Sequence, residues 1–148
     1  MTGWPDHDLL QIGWREWAAF PDLKIPKIKA KIDTGARTSA LHAFYVEPYR
    51  DKGVPMVRFG IHPRQKRTDV EIECVAEVAD RRNVSDSGGH RERRYVIVST
   101  VELGGLSWPI ELTLTNRDTM RFRVLLGRTA MEERVLIDPG ASFLLGKR

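Results

Sequence analysis

Strand signals follow one another along this chain, and only one short stretch has helical character. Valine, isoleucine, threonine and aromatic residues dominate segments at about 11–19, 27–33, 41–48, 55–61, 69–79, 92–103, 107–115, 120–126 and 135–138, with glycine and proline between them. Leu103-Gly104-Gly105-Leu106 sets two glycines between alternating runs, which signals a hairpin. The helical stretch is 128–134, entered at Gly127-Arg128. At 148 residues the chain is long enough to bury a core of its own. Many short strands and one small helix predict an all-β fold, a closed or nearly closed barrel, as one domain over 1–148. Residues 1–10 read as a loose N-terminal segment.

One strand leads into chemistry. Ile28, Ala30 and Ile32 alternate with Lys27, Lys29 and Lys31, so this strand is half-buried. It runs into the turn Asp33-Thr34-Gly35-Ala36, which sets a carboxylate beside a hydroxyl and a glycine that lets another backbone come close. Asp and Gly also suit an ordinary strand-end turn. The residues themselves therefore leave two readings, a catalytic carboxylate or a structural turn. Ile137-Asp138-Pro139-Gly140-Ala141-Ser142 echoes the pattern, but proline stands in place of the hydroxyl and lacks a donor. Asp138 is read as a strand-end turn.

Val124-Leu125-Leu126-Gly127-Arg128-Thr129-Ala130-Met131 is an apolar strand, a Gly-Arg pair and a short helix. With Asp33-Thr34-Gly35-Ala36 it resembles the paired motifs of the retropepsins. Gly13-Trp14-Arg15-Glu16-Trp17, residues 28–43, Leu112-Thr113-Leu114-Thr115-Asn116-Arg117, Asp138-Pro139 and Ser142-Phe143-Leu144-Leu145-Gly146 sharpen the resemblance. Over about 11–146 the chain is similar to a bacterial family of retropepsin-like aspartic peptidases, long labelled ATP-dependent zinc proteases.

The resemblance implies an acid-protease β-barrel with one short C-terminal helix, and catalysis by Asp33 with Thr34 and Gly35. Aspartate-driven peptide hydrolysis needs two carboxylates near one water, one acting as base and the other, protonated, as acid. With one such turn per chain, the second Asp33 must come from a two-fold partner, so a homodimer is expected. Thr34 would tie the two turns together across the axis, and Gly35 would admit substrate backbone. The segment 80–92, polar and holding Ser87-Gly88-Gly89, reads either as an exposed hairpin tip or, by resemblance, as a flap over the site.

Retroviral enzymes carry an aspartate where Arg37 stands here. Arg128 is then expected to lose its carboxylate partner, so that either a different acid takes over or Arg37 and Arg128 leave room for an anion. Arginine forks suit carboxylates. An acidic peptide, polyglutamate in particular, becomes the expected substrate, bound by Arg37, Thr38, Ser39, Ser87, Gly88 and Arg128. The resemblance points the same way, to an ATP-grasp ligase that adds glutamates to a ribosomal protein, a candidate partner. Arg37 bracing the turn or the dimer stays open. So does a different function, a non-catalytic regulator or binding module for that ligase or its glutamylated product.

Other features narrow the field. The one cysteine, Cys74, leaves no internal disulfide framework and reads as a core residue. His7, His42, His62 and His90 lack metal-ligand spacing, so no metal is expected; His42 alone stays in view, near the turn. There is no Walker motif, hence no expected cofactor. No apolar run approaches the roughly 18 residues of a membrane span, and 1–8 has no basic-then-apolar signal, which predicts a cytoplasmic protein. The net charge of +4 can favour nucleic acid or an acidic substrate, while most of the arginines clustered at 81–94 and 117–128 read as solvated loops and strand faces. No nucleic-acid signature accompanies them, and nucleic acid is not expected. Trp14, Trp17 and Trp108 read as packing aromatics.

Overall fold

A computed structural model describes residues 9–65, 67–85, 88–116 and 121–146. Its strands are β1 (Leu10–Ile12), β2 (Arg15–Phe20), β3 (Ile25–Ile32), β4 (Ser39–His42), β5 (Tyr45–Asp51) and β6 (Val54–Ile61), then β7 (Ile72–Glu77), β8 (Asp80–Ser85), β9 (Arg91–Leu103), β10 (Leu106–Thr115), β11 (Val124–Leu126) and β12 (Val135–Ile137). One helical turn, α1 (Arg128–Met131), follows β11. The order β10-β4-β11-β3-β2-β9 closes on itself, because β9 also pairs with β10. The expected all-β fold is therefore a ring of hydrogen-bonded strands. β8 extends it beside β9, β5-β6-β7 form a second antiparallel sheet, and β1 pairs with β12 in parallel.

Burial explains the ring. On β3 the lysines stay at the surface while Ile28, Ala30 and Ile32 turn inward, as their alternation predicts. Phe20, Ile25, Leu41, Ile97, Leu112 and Leu126 are fully buried beside them. Each such side chain stabilises the fold by about 1.5–3 kcal/mol relative to exposure. Val57, Phe59 and Ile61 of β6 join the same cluster, so the second sheet packs onto the ring. Cys74 lies there too. Burial pushes its thiol up to about 12. The Leu103–Leu106 hairpin forms as expected, with positive φ of 56° and 85° at Gly104 and Gly105.

Several boundaries differ from those read in the sequence. The segment 11–19 divides at Gly13-Trp14 into β1 and β2, which belong to different sheets. The segment 41–48 divides at Ala43-Phe44 in the same way. The helix is one turn, not 128–134, and the chain leaves it through Glu133 at φ 62°. Leu10 pairs with Val135, so the loose segment stops short of it; residues 1–8 lie outside the described residues. Asp80–Ser85 is a strand in register with β9, from Asp80↔Val96 to Ser85↔Arg91. None of its residues is buried, so backbone pairing makes this strand, and apolar alternation does not reveal it. Trp108 is a core aromatic whose Nε1 donates to Ala130 O at 2.8 Å. Trp14 and Trp17 are only half-buried; Trp17 stacks on Phe143 beneath Lys27 and Lys29.

Candidate active site

Asp33 follows directly on β3. Its N–H donates to Leu126 O on β11 at 2.9 Å, and Ile32 N–H donates to Trp14 O at 2.8 Å. Its own Oδ1 accepts the Gly35 N–H at 3.1 Å, and Asp33 O accepts the Ala36 N–H at 3.2 Å. The turn is thus closed both by its backbone and by its carboxylate.

The β11–α1 junction clamps it. Arg128 N–H donates to Ala36 O at 2.8 Å, and the Thr129 N–H and hydroxyl both donate to Arg37 O, at 3.1 and 2.9 Å. A Cβ at Gly127 would lie 2.6 Å from Thr38 O, so only glycine admits this approach. Asp33 ends half-buried, with Thr34, Gly35 and Arg37 exposed around it.

A cleft of about 1100 Å³ opens beside the turn. Of the residues singled out by sequence, Asp33, Gly35, Arg37, Thr38 and Gly88 line it together, with His42. Gly88 comes from the β8–β9 hairpin, at the place expected of a flap; Ser87 lies outside the described residues. Two expected substrate contacts are corrected. Ser39 is fully buried, and its Oγ accepts the Gly127 N–H at 3.0 Å. Arg128 does not line the cleft; its Nη1 donates to Thr34 O at 3.0 Å. Arg128 thus braces the turn through a backbone carbonyl.

The cleft also holds side chains not expected at a site: Arg82 on β8 and Arg94 on β9, both from the 81–94 arginine cluster, and Glu111 on β10. Arg82 Nη1 and Nη2 meet both Glu111 oxygens at 2.7 and 3.0 Å, and its Nε meets Asp80 Oδ2 at 2.7 Å. The Arg82 hydrogen bonds hold the Glu111 carboxyl below its usual range, with a smaller contribution from the Arg37 charge. They hold Asp80 low as well. Arg94 Nε is tied to Glu92 Oε1 at 2.6 Å. Among the described residues, Arg37 takes part in no ion pair. Arg82 and Glu111 stand 29 residues apart. Their meeting follows from the β8–β9–β10 pairing, and no local pattern announces it.

Two features lie outside the cleft. Glu16 is fully buried on β2, where it accepts the N–H groups of Gly13, Leu144 and Leu145 at 2.7, 2.9 and 3.2 Å. The Asp138 turn repeats the Asp33 turn in backbone detail. Asp138 Oδ1 accepts the Gly140 N–H at 3.0 Å, Asp138 N–H donates to Ile12 O at 2.8 Å, and Trp14 N–H donates to Ala141 O at 2.8 Å. Asp138 is exposed and does not line the cleft. Among the described residues no three His, Cys, Asp or Glu side chains converge as metal ligands, and no helix is long and apolar enough to cross a membrane.

Residues 11–148 match the family described as RimB-like, the retropepsin-like aspartic endopeptidase RimB. Similar proteins include a probable alpha-L-glutamate ligase from Shewanella pealeana, 50% identical over 137 residues, which are 93% of this chain and 30% of that protein. Another, from Parasynechococcus marenigrum, is 47% identical over 135 residues, 91% of this chain and 29% of that protein. The chain thus spans about 30% of the length of the relatives it matches. A crystal structure of a protein of unknown function from Legionella pneumophila superposes with a TM-score of 0.75 at 26% identity, covering 92% of this chain and 98% of that one.

Proposed function

This chain belongs to the RimB-like family of retropepsin-like aspartic endopeptidases, and we propose that it is an aspartic-type peptidase of the cytoplasm, active as a homodimer on acidic, polyglutamate-type peptide tails. The observation that carries the reading is Asp33, a half-buried carboxylate on a clamped turn at the wall of a cleft also lined by Arg37, Arg82 and Arg94. Two Asp33 turns brought together by a two-fold axis would share one proton, because like charges that close cannot both ionise. The ionised one takes a proton from water as the water attacks the scissile carbonyl. The protonated one hydrogen-bonds the carbonyl oxygen and then donates toward the leaving amine. The exposed Thr34 and Gly35 suit a contact between the two turns and substrate backbone.

The acidic preference is supported by the lining, which sets three arginines against the carboxylates of Asp33 and Glu111. The relatives named as probable glutamate ligases carry a segment similar to this chain within a longer protein, which fits a partnership with such a ligase. Those same names also favour a second reading, a non-catalytic module that binds the ligase or its product. Incubation with a glutamate-tailed peptide, followed by mass spectrometry, separates the two. A peptidase shortens the tail and Asp33→Asn does not. A protein that binds the tail and never shortens it, at any pH from acid to neutral, is the binding module.

A further inference from the structure

The cleft contains a carboxylate already seated in an arginine fork. We infer that Arg82 is the side chain that reads an acidic residue of the substrate, and that Glu111 occupies its fork when no substrate is bound. The inference rests on the peptide-cleft reading above and names the residue that gives that cleft its selectivity.

Geometry carries it. Arg82 stands on β8, part of the hairpin whose Gly88 lines the same cleft as Asp33. Its Nη1 and Nη2 grip both Glu111 oxygens end-on, at 2.7 and 3.0 Å. A guanidinium presents this fork to any carboxylate, so Glu111 marks how a substrate glutamate would sit. The third donor, Nε, is held by Asp80 Oδ2 at 2.7 Å. Asp80 therefore keeps the fork aimed into the cleft while its occupant changes.

Exchange is also energetically open. The two side chains are 36% and 44% exposed, and ion pairs so accessible to water are worth little. A displaced Glu111 does not lose all counter-charge, since Arg37 already acts on it. Arg94 is a poorer reader: its side chain is 11% exposed, and its Nε and Nη1 are engaged by Glu92 and Thr113. A substrate glutamine could not replace Glu111, because it offers one acceptor oxygen and turns an amide N–H toward a guanidinium N–H.

The test is a binding titration in the Asp33→Asn background, so that peptide is not consumed, with a glutamate-tailed peptide and its glutamine-tailed match. Arg82→Ala is expected to weaken the glutamate peptide about 3- to 5-fold and to leave the glutamine peptide within about 1.5-fold. Arg82→Lys, which keeps the charge without the fork, recovers only part of the loss. Glu111→Gln tightens the glutamate peptide by about 2- to 5-fold. These last two variants carry the test should Arg82→Ala fail to fold. Equal weakening of both peptides by Arg82→Ala makes Arg82 structural and overturns the inference. A wild-type-like preference that survives Arg82→Ala also overturns it, while the peptidase reading stands. Absence of any glutamate preference in the background protein overturns it together with the acidic-substrate reading. With Asp33 intact, a chain that never shortens the peptide but keeps an Arg82-dependent preference refutes the peptidase reading alone.

Discussion

Removing the Glu16 carboxylate should destabilise the fold more than any other single change outside the apolar core. Three backbone N–H groups converge on this one fully buried side chain. Hydrogen bonds to a charged group contribute about 1.5–3 kcal/mol each, so simple addition gives up to about 9 kcal/mol. That sum overshoots. Substitution also removes the cost of burying the charge, and Leu144 and Leu145 can swing toward water. Gly13 N–H is the buried donor left stranded. For Glu16→Ala about 3–5 kcal/mol is expected, the range for breaking a buried charged network. At 2–4 °C per kcal/mol for a chain this long, the midpoint should fall by roughly 6–20 °C. Glu16→Gln should fall between. An amide oxygen can still accept from Gly13 and Leu144, which share Oε2, while the bond from Leu145 to Oε1 is lost. Its cost is about 1–2 kcal/mol. Thermal unfolding by circular dichroism reads the order, and limited proteolysis should show 138–146 released first. The site should feel it too, because Gly13 leads into Trp14, whose carbonyl holds Ile32 just before Asp33. A Glu16→Ala midpoint within about 2 °C of wild type would refute this account.

Three further outcomes follow from the site. Asp33→Asn should abolish peptide cleavage and Asp138→Asn should leave turnover near wild type, as read by mass spectrometry; equal losses with the fold intact would make Asp138 part of the chemistry. Specific activity should fall on dilution through the dimer dissociation constant, because one Asp33 per chain cannot serve as both acid and base; a monomer by sedimentation with full activity per chain would contradict this. Preference for glutamate over glutamine tails should be full above about 4.3, where a free glutamate is ionised, and should fade below it, through the lower range in which a glutamate held by Arg82, as Glu111 is, takes up its proton; a preference that never declines with acid would show that charge is not what is read.

What could be read from sequence was whatever leaves a one-sided apolar pattern. β3 alternates because one face of it is buried, and its end at Asp33 is marked by turn residues. β8 leaves no such pattern, because no residue on it is buried. Its existence, and hence the place of Arg82, depends on pairing with β9 across the hairpin. Ser39 and Arg128 illustrate a different limit. Neither nearness to Asp33 along the chain, as for Ser39, nor a shared motif, as for Arg128, says which way a side chain turns. Ser39 opens a strand buried at all four positions and turns into the clamp beneath the turn. Arg128 meets a backbone carbonyl, which any residue at position 34 supplies, so no letter in the sequence announces that contact. Glu16 lay inside a recognised block, yet a charged letter on a strand reads as solvent-facing until its three donors are placed around it.

The two aspartate turns show what part of the Asp33 turn is chemistry and what part is architecture. In both, Oδ1 accepts from the glycine two residues on, at 3.1 and 3.0 Å, and the aspartate N–H caps a neighbouring strand. In both, a Gly-X pair lies against the turn, Gly127-Arg128 for one and Gly13-Trp14 for the other. The fold therefore uses this turn twice as a structural device, and its backbone does not set Asp33 apart from Asp138. The difference lies in the surroundings. The Asp33 turn borders the arginine-lined cleft, whereas the Asp138 turn is pinned beside Arg15, whose Nε donates to Ser142 Oγ at 3.2 Å. It follows that Asp33→Ala is the wrong probe of catalysis, because it removes the Gly35 hydrogen bond along with the carboxylate. Asparagine keeps an Oδ1 acceptor for that N–H and loses only the acid–base function. A loss of turnover in Asp33→Asn with unchanged stability belongs to the chemistry, and whatever Asp33→Ala loses beyond it belongs to the turn.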